Sequence, residues 1–123
     1  MWYCAHAIFY FEFKYEEQDS YLVHENVYLI QAEDEFSAMG KATEIAKENE
    51  DLSEDDHLEL NEKPVRYIFS GIRKLITVSN YDKKNEDVIE SGVEATYSEL
   101  EVDDLDQVKK LSEGSFVEVL YRE

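Results

Sequence analysis

The chain opens on an alternation. From Tyr3 the odd positions Tyr3, Ala5, Ala7, Phe9, Phe11 and Phe13 are apolar. A period of two makes one continuous apolar surface only in an extended strand, so the chain is committed to a sheet with at least one packed face. The even positions Trp2, Cys4, His6, Ile8 and Tyr10 are themselves more apolar than a wet face requires. That face is therefore also expected to be covered, a second subunit being the candidate cover. After a polar turn at Gln18-Asp19-Ser20, the run YLVHENVYLIQA is rich in β-formers and predicts a second strand, antiparallel to the first as a hairpin.

At Glu33 the period changes. Asp34 is placed to cap a helix over residues 35–49, with Phe36, Met39, Thr43 and Ala46 as its apolar stripe, widened by Ala38, Ala42 and Ile45. Met39 is read as core filler rather than as part of a ligand pocket. Residues 48–62 hold eight acids and no Lys or Arg, and weak periodicity predicts a loop or irregular helix there, the segment expected to be most mobile. Past Pro64, VRYIFSGIRKLITV predicts a third strand whose Gly71 marks a bulge or a close backbone approach. Residues 63–84 carry half of the chain's bases (Lys63, Arg66, Arg73, Lys74, Lys83, Lys84) against one acid, Asp82, which predicts pairing with acidic neighbours. A small anion site is the sharper alternative there. NYDKKNEDVIESG reads as a loop, GVEATYSELEV as a fourth strand with a change of parity, and LDQVKKLSEG as a short helix capped by Asp103 or Asp104. SFVEVLY reads as a last strand. The expected fold is α+β: residues 1–123 as a single domain, an antiparallel sheet of about five strands in the order β-β-α-β-β-α-β, with the helices packed on one face.

Length and composition agree with one globular domain. The chain has 123 residues, is 43% hydrophobic and 13% aromatic, and carries a formal charge of −18. Such a surface repels nucleic-acid phosphates and anionic lipid and steers basic proteins inward, so direct nucleic-acid or membrane binding is disfavoured. An acidic surface common to the whole proteome would look the same. The only cysteine, Cys4, has no disulfide partner, and the start lacks a basic leader and reaches Glu12 early; a cytoplasmic location is expected. No stretch approaches the ~18 uninterrupted apolar residues of a membrane span.

Chemical motifs are sparse. No phosphate loop, dinucleotide fingerprint, nucleophile elbow or paired-cysteine motif occurs, and no cofactor is expected. His6 and His24 fall on neighbouring strands and, with Cys4 or Glu25, are the weak candidates for a metal site or a Cys/His pair; the commoner reading is packed or surface strand residues. Asp51, Ser53, Asp55 and Glu62 fit places one, three, five and twelve of a calcium loop. Place six, which needs Gly, is Asp56, and Pro64 comes too soon for an exiting helix. Glu25, Glu99 and Glu101 would serve as paired carboxylates, and Arg73 facing one of them is read as a strand-to-strand ion pair.

The segments WYCAHAIFYFEF, ENVYLIQAEDEFSAMGKATEIAKE, KPVRYIFSGIRKLITV and GVEATYSELEV together resemble the small bacterial proteins catalogued as domain of unknown function 4288. The resemblance covers about residues 2–102 and lies in the start Trp2-Tyr3, the strand-to-helix junction and the Gly-Val-Glu…Tyr-Ser strand. The long acidic loop and the terminal helix and strand depart from the family pattern. The family brings no catalytic residue; it supports the order of elements.

Size, charge and missing chemistry favour an acidic protein-binding module that blocks a basic partner, as an immunity protein neutralises a nuclease toxin. Its recognition residues would be Asp51, Glu54, Asp55, Asp56 and Glu59 in the acidic loop, then Glu99, Glu101, Asp103 and Asp104, with Tyr97 as an aromatic anchor. One alternative is a small metal-dependent or anion-binding enzyme using His6, His24, Glu25 and Arg73. Another is a homo-oligomeric structural module, a homodimer formed through the first strand's outer face.

Overall fold

A computed structural model of the chain describes residues 1–79 and 88–122. Its elements are β1 (Trp2–Phe13), β2 (Val23–Gln31), α1 (Glu35–Glu48), β3 (Glu59–Leu60), β4 (Lys63–Val78), β5 (Glu99–Glu101), α2 (Leu105–Ser112) and β6 (Leu120–Arg122). The main sheet is antiparallel with strand order β2-β1-β4-β3, and β5 and β6 form a separate two-stranded ribbon. The strand that alternates most clearly in sequence, β1, is central. Tyr3 stands opposite Ile30 of β2 and Thr77 of β4, and Phe9 stands between His24 and Phe69. The bulge expected near Gly71 is present twice: the register slips between His6 and Ala7 and between Ile8 and Phe9, which leaves Arg73 and Ser70 as the extra residues on β4.

The odd face of β1 carries the core. Tyr3, Ala5 and Ile30 pack with Ala32, Ala38 and Ala42, and Ala7 and Phe9 pack with Ala46. The rings of Phe9 and Tyr67 stack at 4.6 Å with their planes 1° apart. α1 lies on this face by a row of alanines at four-residue spacing, whose small side chains let helix and sheet approach closely. Of the larger apolar residues expected in the stripe, Ile45 packs against the core but two turn away: Phe36 is 91% exposed, and Met39, read from sequence as core filler, is 38% exposed. The N-cap is the expected one, Asp34, whose carboxylate accepts from the Ser37 amide at 2.7 Å.

The C-terminal third differs from the expected five-stranded sheet. Residues 93–98, expected to begin a fourth strand, pair with no strand; only Glu99–Glu101 is extended there, and it joins Leu120–Arg122 rather than the main sheet. α2 is capped by Asp104 through the Gln107 amide at 2.9 Å but has no buried residue, in contrast with α1, which buries Ala38, Ala42 and Ala46. The reason lies in what residues 93–98 find. Side chains of the sheet's even face hold them flat over β1, with Cys4 bonded to the Ala95 carbonyl and His6 to Thr96, so they do not reach an edge and its ladder. The even face of β1 is thus covered in part by the chain's own residues. Of the base-rich stretch, Lys63 pairs with Glu16, Arg66 with Glu12 and Arg73 with Glu25, while Lys83, Lys84 and Asp82 lie outside the described residues.

Candidate functional site

At the end of the sheet where β1 leaves for β2, residues 14–20 meet the acidic segment that follows α1. The segment expected to be mobile is pinned from several sides. Asp51 exchanges both backbone hydrogen bonds with Tyr67 of β4 at 2.9 Å each. The Lys14 ammonium, with its side chain only 4% exposed, donates to the Ser53 carbonyl at 2.6 Å and to Asp56 Oδ1 at 2.7 Å. Tyr15 donates its hydroxyl to Asp56 Oδ2 at 3.0 Å. His57 bridges two carboxylates, Asp51 through Nε2 at 2.6 Å and Asp55 through Nδ1. The turns are tight, with positive φ at Asp56 (56°), Asn61 (53°) and Glu62 (66°).

These contacts set the electrostatics. The hydrogen bond from His57 holds the Asp55 carboxyl down at about 2, and the same pair raises the His57 pKa. Asp56 is lowered, first by the hydrogen bond from Lys14 and then by that from Tyr15. Carboxylates bound in this way stay ionised throughout the neutral range, so the segment presents a fixed rather than a fluctuating negative surface.

Beside this segment lies an open hollow of about 550 Å³, lined among others by Phe13, Leu22 and Leu60 and rimmed by Glu16, Glu17 and Asp19. Its lining mixes these apolar side chains with the carboxylates. The single base in the lining, Lys63, is paired with Glu16 at 2.7 Å. Asp19 belongs to the turn expected from sequence, and Glu16 and Glu17 directly precede it. The signal was present in the acid run EEQDS, but only the β1–β2 register and the return of the chain into β4 place it against Leu60.

The residues singled out from sequence divide in three. Asp51 and Asp55 turn toward Ser53 and His57 within their own loop and Asp56 toward Lys14 and Tyr15 of the β1–β2 connection, while Glu54 and Glu59 are exposed. Glu99, Glu101, Asp103 and Asp104 belong to the unit built from β5, α2 and β6. Within it Glu101 pairs with Arg122 at 2.7 Å, Asp104 caps α2, and Glu99 and Asp103 are exposed. Tyr97 is half-exposed, with the Lys74 ammonium 5.6 Å from its ring centre. The two acidic groups are thus carried by different parts of the fold.

His6 and His24 do not meet. His24 stands opposite Phe9 on the α1 face and bonds the Tyr67 hydroxyl at 3.2 Å; His6 stands opposite Val27 on the other face. Among the described residues no three His, Cys, Asp or Glu side chains are placed to hold a metal ion. His6 has drawn the other expected partners. Its Nδ1 lies 3.6 Å from Glu25 Oε1, Glu25 accepts from Arg73 at 3.0 Å, and its Nε2 lies 2.5 Å from Thr96 Oγ1. Burial lowers the His6 pKa, with Lys74 acting in the same sense and Glu25 against it, so the ring is neutral at pH 7. A Thr96 hydroxyl donating to Nε2 leaves the ring proton on Nδ1, facing Glu25. Burial likewise pushes the Cys4 thiol up, away from thiolate reactivity.

The model of a family described as a domain of unknown function, DUF4288, matches residues 2–90. No curated protein and no solved structure matches the chain. Among the described residues no helix is long and apolar enough to cross a membrane.

Proposed function

The chain belongs to the DUF4288 family, and from its geometry we propose that it is a protein-binding module that engages a basic partner through the acidic end of its sheet. The observation that carries this reading is the hollow between residues 14–20 and 58–63. The apolar side chains of Phe13, Leu22 and Leu60 in its lining suit the aliphatic stem of a lysine or arginine, and the carboxylates of Glu17 and Asp19 beside them suit its charged head. Next to it, the pinned loop offers Glu54 and Glu59 outward and an exposed Leu52 among them. A preorganised surface loses little entropy on binding, and the charge of −18 steers a cationic partner toward it. Blocking a basic protein, in the manner of an immunity protein against a nuclease toxin, is the role this surface suits.

The test is capture from a nuclease-treated host lysate at low and moderate salt, followed by association kinetics with the retained protein. Lysine substitution at Glu17, Asp19, Glu54 and Glu59 is expected to slow association about tenfold or more at low salt and to flatten its salt dependence. A partner that binds the substituted chain as fast as the parent would refute the acidic end as the docking surface.

A further inference from the structure

The even face of the sheet carries a second arrangement, distinct from the acidic end. Residues 93–98 lie across it in a way that resembles a bound peptide more than an integral strand. The sheet reads their main chain and hydroxyls with side chains only. Cys4 Sγ donates to the Ala95 carbonyl at 2.6 Å, Lys74 Nζ donates to the Tyr97 carbonyl at 2.5 Å and to Ser98 Oγ at 3.2 Å, and His6 Nε2 meets Thr96 Oγ1 at 2.5 Å. The fit is incomplete in three respects. His6 is 2% exposed, and its Nδ1 takes no bond from the segment, facing Glu25 at 3.6 Å instead. A hollow of about 160 Å³ remains between the segment and the end of β4, lined by Ile76, Ser79, Glu94 and Thr96 among others. Val27 and Leu29, which stand beside His6 and Cys4 on the same face, stay exposed.

Among the described residues, little packs on the segment from its far side. Beyond it, β5, α2 and β6 bury no residue, and Tyr121 touches the sheet by lying 4.3 Å under the Arg73 guanidinium. Every buried residue of the described chain lies between Tyr3 and Val78. The family match ends at residue 90, so the face belongs to the shared part of the fold and the covering segment lies beyond it.

We infer that this face, formed by Cys4, His6, Lys74, Val27 and Leu29, is a peptide-binding site that the chain's own residues 93–98 occupy in cis. The ligand class is an extended peptide segment of another protein. Two carbonyls spaced two residues apart meet Cys4 and Lys74, a Thr or Ser hydroxyl between them meets His6, and an adjoining apolar side chain covers Val27 and Leu29. Main-chain recognition supplies affinity and the hydroxyl supplies selectivity, as in other modes of extended-peptide capture.

The test uses the full chain, because Cys4, its only cysteine, lies under the segment and reports its departure. Thr96→Ala is expected to raise the rate of Cys4 modification by a thiol reagent in native buffer roughly tenfold, the factor for one lost hydrogen bond. A fluorescent peptide of residues 93–98 (VEATYS) is then expected to bind a loosened chain, T96A with Tyr97→Gly, at least tenfold more tightly than it binds the parent. The same peptide with Ala at its Thr position is expected to bind weakly. Unchanged Cys4 modification in T96A would overturn the removable cover. Faster modification with no saturable peptide binding would overturn the binding site and leave the segment a plain lid.

Discussion

Replacing Ala42 by leucine puts an isobutyl group where α1 lies directly on β1, at a position with no exposure. Overpacking of a filled interior costs about 1–3 kcal/mol, which for a domain of this size lowers Tm by roughly 4–12 °C. The companion change is Phe36→Ser on the same helix. Phe36 is 91% exposed, so of roughly 200 Å² of aromatic side chain only about 20 Å² is sheltered. At about 25 cal/mol per Å² its removal costs near 0.5 kcal/mol. Hydrophobicity alone predicts the reverse order, since it makes Phe36 a core residue and Ala42 a position that welcomes a larger side chain. Urea denaturation followed by the fluorescence of the single tryptophan, Trp2, separates the two. A Phe36→Ser chain that loses 2 kcal/mol or more, with an Ala42→Leu chain unchanged, would refute the assigned face of α1.

Other outcomes follow from single contacts. Tyr67→Phe removes the hydroxyl that Asn26 bonds at 2.8 Å and His24 at 3.2 Å, and is expected to cost about 1 kcal/mol in the same urea assay. Lys14→Met strips the ammonium from the Ser53 carbonyl and Asp56, and is expected to speed amide hydrogen exchange in residues 51–57 while leaving β1 and β4 protected. The His57 pairs give a pH window. The raised His57 pKa means its contribution to order is full below the ordinary value of 6.5 and is lost as pH rises through the raised value. The lowered Asp55 pKa means its contribution is present above 3.8 and is lost as pH falls through about 2. Loop chemical shifts are therefore expected to hold steady between these limits and move outside them, and His57→Ala should abolish the upper transition.

The hairpin, the alternating strand β1, the capped helix after Asp34 and the bulge at Gly71 were legible from local pattern, because period, cap chemistry and turn residues act over a few neighbours, whereas the central place of β1 in the sheet was not. The family was legible too, although the resemblance was read to residue 102, through the Gly-Val-Glu…Tyr-Ser strand, and the family match ends at residue 90. The acidic segment was visible, but its stiffness was not, since Lys14, Tyr15 and Tyr67 reach it from distant parts of the chain. The same holds for the rim of the hollow: Glu17 and Asp19 are turn residues in sequence and site residues only beside Leu60.

Sequence by itself determined where β1, β2, β4 and both helices lie and how negative the surface is, since each depends on residue type and near spacing. Tertiary structure decided the rest. It chose the alanine row over Phe36 and Met39, because helix–sheet separation rewards small side chains at the contact. It sent residues 93–98 over the face of β1 instead of to an edge, because the donors there, Cys4, His6 and Lys74, are supplied by strands far away in the chain. It put His6 and His24 on opposite faces, because the antiparallel register sets His24 opposite Phe9, an odd three residues from His6, and side chains alternate along a strand with no regard to chemistry.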